Sequence, residues 1–136
     1  MAKQIWLNLP VKDVAKAKDF FWNIGFSFNE QHDTPSSTCM VVGEGHFVIM
    51  LFEEMLFSSF TQHNLTDTKS SSEVLISIDA ESREEVDELA EKVKEAGGNV
   101  FSPPAESQGW MYGCGFADLD GHRWNVLFMD FNKLPS

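Results

Sequence analysis

The chain has 136 residues, 43% of them hydrophobic, and its 21 acidic against 10 basic side chains give a formal net charge of -11. That length supports one compact domain with a sizeable core, and the 12 Phe and 4 Trp are expected to fill it or to line a pocket. The acidic balance argues against nucleic acid or anionic membrane as a partner, since both need a basic footprint, and is compatible with a neutral or cationic small ligand.

Lys3, Lys12 and Asp13 interrupt any apolar stretch near the start, and no long apolar run follows, so a soluble, cytoplasmic chain is expected. Cys39 and Cys114 form no paired motif and read as reduced, buried thiols.

The first element, "QIWLNLPV", alternates. Ile5, Leu7, Leu9 and Val11 share one face, and Gln4, Trp6, Asn8 and Pro10 share the other, as in a half-buried strand. Asp13 is placed to cap a helix whose Val14, Ala17, Phe21 and Ile24 recur at helical spacing, and Gly25 stands where a left-handed glycine ends it. Three short strands follow, "FSFNE", "TCMVV" and "HFVIMLF". A polar, Ser/Thr-rich linker comes next, with room for a short helix or a lid.

The same order then repeats. "EVLISID" puts Glu73, Leu75 and Ser77 on one face and Val74, Ile76 and Ile78 on the other. Ser82 and Glu85 make a capping box for a helix with an apolar stripe of Val86, Leu89, Ala90 and Val93; its acidic face reads as solvated. Gly97 and Gly98 end it, and "NVFSPP", "GWMYGCGF" and "HRWNVLFMD" read as three more strands. An echo between "MVVGEGHFVIMLFEE" and "FADLDGHRWNVLFMD" falls at the same place in both halves. The expected fold is therefore α+β, a single domain 1–136 of two βαβββ modules, at about 1–53 and 73–136, joined by a linker at about 54–72.

The opening, with Val11, Asp13, Phe21-Trp22 and Ile24-Gly25-Phe26, and the ending "FADLDGHRWN" resemble the vicinal oxygen chelate superfamily. Its members include glyoxalase I, extradiol dioxygenases, and the fosfomycin- and bleomycin-resistance proteins. The resemblance covers essentially the whole chain. It implies eight strands in one curled mixed sheet, a glyoxalase-like cup, with a divalent metal held by side chains from the first and last strand of each module. It also implies a homodimer, since members of the superfamily often pair modules across chains.

Carried over by position, the ligand places fall on Trp6, on Glu73, on Asn125, and on Ile49, or Met50 if the first turn differs by one residue. Trp and Ile cannot ligate, and Asn binds hard cations weakly, so no metal cofactor is expected. His46 and His122 follow turn glycines and read as turn residues, and His32 and His63 lack any metal-ligand spacing. Leu119 stands where the family usually has proline.

The remaining expectation is a small-molecule site lined by Trp6, Asn8, Glu73 and Asn125, with Trp110 and Tyr112 added from the "GWMYGCGF" strand. Glu73, if enclosed, would act as a general base or hold a cationic ligand. Three functions are open at this point. They are a metal-free binding or sequestering protein, a divalent-metal-dependent lyase or dioxygenase with an atypical site, and a non-catalytic module whose sheet serves dimerisation.

Overall fold

The computed structural model describes residues 1–134. The first module runs β1 (Trp6–Val11), α1 (Val14–Asn23), β2 (Ser27–Thr34), β3 (Ser37–Val42) and β4 (Phe47–Glu53), followed by α2 (Glu54–Thr61). The second runs β5 (Leu75–Asp79), α3 (Arg83–Glu95), β6 (Asn99–Ser107), β7 (Met111–Ala117) and β8 (Arg123–Met129), with a 3-10 turn at Phe131–Lys133. The α+β class and the two βαβββ modules are thus those expected. Backbone hydrogen bonds join the strands in two mixed sheets of four, ordered β1-β4-β3-β2 and β5-β8-β7-β6. The chain divides into compact units at 1–66 and 67–136. Among the described residues no helix is long and apolar enough to cross a membrane.

In the first unit, Asp13 caps α1 by accepting from the Lys16 N–H at 3.0 Å. Gly25, at φ 109°, supplies the left-handed residue that turns the chain into β2. One face of the sheet, with Leu9, Val11, Met40, Ile49 and Leu51, is buried together with Val14, Ala17, Phe20 and Phe21 of α1. Phe21 meets Phe20 and Phe26 edge to face, with centroids 5.1 and 5.4 Å away.

In the second unit, Ser82 accepts from the Glu85 N–H at 3.1 Å. The Glu85 carboxylate reaches back to the Glu81 N–H at 2.9 Å, one residue further out than in the usual capping box. Val86, Ala90 and Val93 of α3 are buried with Cys114, Phe116, Trp124 and Val126 of the sheet. The Phe116 and Trp124 rings lie parallel at 2°, centroids 5.9 Å apart.

Several strand limits differ from the alternation pattern. β5 begins at Leu75, so Glu73 lies in the bend before it rather than in the strand. β6 continues past Pro103 and Pro104 to Ser107 because it is an edge strand, where a residue without an N–H is tolerated. Its pairing with β7 slips twice, on either side of Ser102. The linker contributes α2, capped by Glu53, whose carboxylate accepts from the Met55 and Leu56 N–H groups at 3.1 and 3.4 Å.

Candidate functional site

Alternation along a strand leaves each sheet a second face, turned away from the buried helix. On this far face of the first sheet, register places Trp6 beside Val48, Asn8 beside Met50, and Cys39 on the other side of Met50. Pro10 and Phe52 continue the face, and there α2 closes it: the Phe60 ring meets Phe52 edge to face, centroids 5.2 Å apart. At the other end Trp6 stays 54% exposed. It lines an open hollow of about 690 Å³ together with Val48, Met50, His46 and Phe47. The hollow is apolar and aromatic, with Lys3 and Gln4 as its polar margin.

Ile49 corrects the residue-by-residue transfer. It is 1% exposed, in the core with Leu51, and Met50 is the residue of β4 that shares a face with Trp6 and Asn8. The cause is turn length. Val42 pairs with Phe47 across Gly43–His46, whereas Ala117 pairs with Arg123 across the longer Asp118–His122. A one-residue difference moves every later side chain to the opposite face.

The far face of the second sheet carries Ser77 beside Asn125, with Gly115 on its other side, and Leu75 beside Arg123. Trp124 and Val126, on the opposite face, are 0 and 1% exposed, which fixes this assignment. Asn125 is half-buried, and Glu73 is exposed. The enclosure that a general base would need is therefore not built around Glu73 by its own module.

Of the other two expected site residues, Tyr112 points elsewhere. Tyr112 shares its face with the core, and its hydroxyl donates to Asp87 of α3 at 2.6 Å. That hydrogen bond raises its pKa above the phenol's ordinary value. Arg83 stacks over the Tyr112 and Phe128 rings, 5.6 and 5.4 Å from their centroids, and pairs with Glu106. Tyr112 thus belongs to a clamp between α3 and the sheet. Trp110 sits half-buried in the turn before β7, where its carbonyl accepts from the Asp130 N–H at 2.7 Å.

The "FADLDGH" turn is held by Asp118, 7% exposed. One carboxylate oxygen accepts from the Asp120 and His122 N–H groups, both at 3.0 Å, and the other from the Trp124 indole N–H at 3.1 Å. Burial pushes this carboxyl's pKa up. Gly121, at φ 82°, passes so close to Thr68 that a Cβ would stand 2.5 Å from its hydroxyl oxygen, and that hydroxyl donates to the Asp120 carbonyl at 2.6 Å. The acidic residues of this motif therefore organise a turn.

Both thiols are free, Cys39 half-buried and Cys114 buried, and burial raises the pKa of each, which disfavours the reactive thiolate. Among the described residues no three His, Cys, Asp or Glu side chains gather as a metal centre requires. Neither the indole and thioether of the first module nor the amide and exposed carboxylate of the second supply the hard donor set of a divalent cation. Position alone could not have revealed Arg123 or Phe101, the pair on the second far face; their signal is a basic residue on a strand flanked by acidic turns.

Two βαβββ modules define the class, and comparison with known proteins places the chain in it. The profile of the Glyoxalase/Bleomycin resistance protein/Dioxygenase superfamily matches residues 3–126, and the chain belongs to that superfamily. It is similar to the structure of hypothetical protein SA1046 from S. aureus, with 38% identity over 94% of each chain and a TM-score of 0.84. A glyoxalase/bleomycin resistance protein/dioxygenase family enzyme from Burkholderia phytofirmans shares the fold at 18% identity, covering 91% of this chain and 96% of that one, TM-score 0.79. The fosfomycin resistance protein FosX from Listeria monocytogenes does so at 20% identity over 98% of each chain, TM-score 0.70. Comparison with curated proteins returns no match.

Proposed function

We propose that this chain is a metal-free small-molecule binding or sequestering protein of the glyoxalase/bleomycin-resistance type. The observation that carries the reading is Trp6, an indole left 54% exposed on a sheet face beside Val48 and Met50, at a place where the family resemblance implies a metal ligand. A large aromatic surface held by a strand, over an apolar hollow with a few polar groups at its margin, suits an apolar or aromatic ligand. The chain is further proposed to act as a cytoplasmic homodimer, which size-exclusion chromatography with light scattering would test.

Two measurements test the reading. Elemental analysis after incubation with Ni(II), Zn(II), Mn(II) and Fe(II) should find less than about a tenth of an equivalent bound, against near-stoichiometric loading of a true metal site. The neutral fluorescent probe N-phenyl-1-naphthylamine should bind saturably and quench Trp6. Stoichiometric metal would overturn the proposal in favour of a lyase or dioxygenase, and a probe indifferent to Trp6→Ala would overturn it outright.

A further inference from the structure

Three cations in the described residues stand over aromatic rings, and they differ in one respect. Lys18, over Phe28, pairs with Glu30 at 3.0 Å and Asp33 at 2.7 Å; Arg83, over Tyr112 and Phe128, pairs with Glu106. Arg123 lies closest to its ring, its guanidinium carbon 4.2 Å from the Phe101 centroid, yet no carboxylate among the described residues comes within ion-pair distance of it. Of the two arginines, Arg83 has a carboxylate partner and Arg123 has none among the described residues.

The local structure holds this cation in place. Phe101 lies against Gly115, where a Cβ would come within 2.7 Å of the ring, so the glycine makes room for the ring on the sheet. The ring in turn supports one face of the guanidinium. Stacking engages the π face and leaves the N–H donors in the guanidinium plane available for a planar, bidentate acceptor. Beside it on the same face, the amide of Asn125 and the hydroxyl of Ser77 share a register row, one step along the strands from Arg123 and Leu75. Leu75, 56% exposed, gives this polar group an apolar neighbour.

We propose that the far face of the second sheet binds the carboxylate of a small organic acid, with Arg123 as the charged anchor and Asn125 and Ser77 as neutral hydrogen-bonding partners. The proposal rests on the small-molecule reading above and names the ligand's chemical class. The net charge of -11 does not oppose it, because repulsion from distant carboxylates is screened beyond about 8–10 Å whereas a contact with the guanidinium is not. A neutral or cationic ligand, the expectation from overall charge, would leave the one uncompensated cation of the sheet without use.

The test uses the full chain labelled with 15N and two probes of similar size, benzoate and benzyl alcohol. Benzoate should shift the Arg123 Nε–H and Asn125 side-chain amide resonances saturably, and benzyl alcohol should bind there at least about tenfold more weakly. Arg123→Gln should weaken benzoate by about tenfold or more with an otherwise unchanged backbone spectrum. Phe101→Leu, which keeps the charge but removes its support, should weaken it by about threefold. Equal binding of the two probes, an unchanged benzoate affinity in Arg123→Gln, or no saturable shift at Arg123 would each overturn the inference. N-phenyl-1-naphthylamine titrated into the wild-type chain separates the two readings: saturable, Trp6-dependent binding keeps the small-molecule function when the carboxylate site fails, and binding of neither probe removes both.

Discussion

The two sheets have the same strand order and opposite chemistry on their far faces. In the first, Trp6, Val48 and Met50 present an indole, an aliphatic side chain and a thioether. In the second, Ser77, Arg123 and Asn125 present a hydroxyl, a guanidinium and an amide, with glycine in place of a side chain at position 115. The buried faces are both apolar and each packs with one helix, which supplies Phe20 and Phe21 in the first module, whereas the sheet supplies Phe116 and Trp124 in the second. Because successive residues of a strand face opposite ways, core and far face are independent registers of one sequence, and a fold can be kept while its ligand chemistry is rewritten. What remained common to the modules here is what the core requires.

The largest expected effect tests the one-residue offset between the hairpins. Ile49→Asp and Asn125→Asp place a carboxylate at the same count after the turn glycine. The first should cost about 3–5 kcal/mol in urea unfolding, because the charge is buried without a partner, and the second under about 1 kcal/mol. Similar costs would show that the two positions share an environment.

Next in size is the hub of the second turn. Asp118→Asn keeps an oxygen for the Asp120 and His122 N–H groups but sets an amide N–H against the Trp124 indole N–H, at a cost of about 1–3 kcal/mol. The pH dependence has a definite sign. The folded carboxyl titrates above its unfolded value, so its neutral form is favoured on folding. The stability this contributes is complete below the ordinary Asp pKa and is lost as pH rises through the raised one. Wild type should therefore show a falling component in that window that Asp118→Asn lacks, measured by urea unfolding at stepped pH. The first hairpin is closed instead by a backbone hydrogen bond in which the His46 N–H donates to the Gly43 carbonyl at 3.2 Å.

Trp6→Ala should then reduce affinity for the neutral probe by about tenfold while changing stability by about 0.5 kcal/mol or less, as for an exposed side chain. The smallest expected effect is none. Tyr112→Phe should leave binding of benzoate and of the neutral probe unchanged in parallel titrations, because its hydroxyl is committed to Asp87 on the opposite face. A loss of binding in that variant would mean that Tyr112 reaches a ligand after all.

Much of the fold was legible because it depends on local signals. The Asp13 and Ser82 caps, the Gly25 stop and the alternation of "WLNLPV" each follow from a few neighbouring residues. For the candidate site residues, only the strand face was legible, where parity sufficed, at Trp6, Asn8 and Asn125. Parity failed at β4, since a gapless match of "GEGH" to "LDGH" conceals the difference in turn length that exchanges Ile49 for Met50. It failed again at Tyr112, whose strand was assigned correctly but whose face was not, because glycines at 113 and 115 leave one side of the alternation blank. Phe101 and Arg123 come together through pairing across β6, β7 and β8, a relation that no short window of sequence contains.

The proline pair in β6 has a consequence for the sheet's resistance to misassembly. Pro103 and Pro104 stand in an edge strand whose pairing already slips on both sides of Ser102. A foreign strand seeking a continuous ladder there would meet missing donors and a broken register. Amyloid-like stacking through β6 is therefore blocked by backbone chemistry alone, whatever side chains the far face acquires.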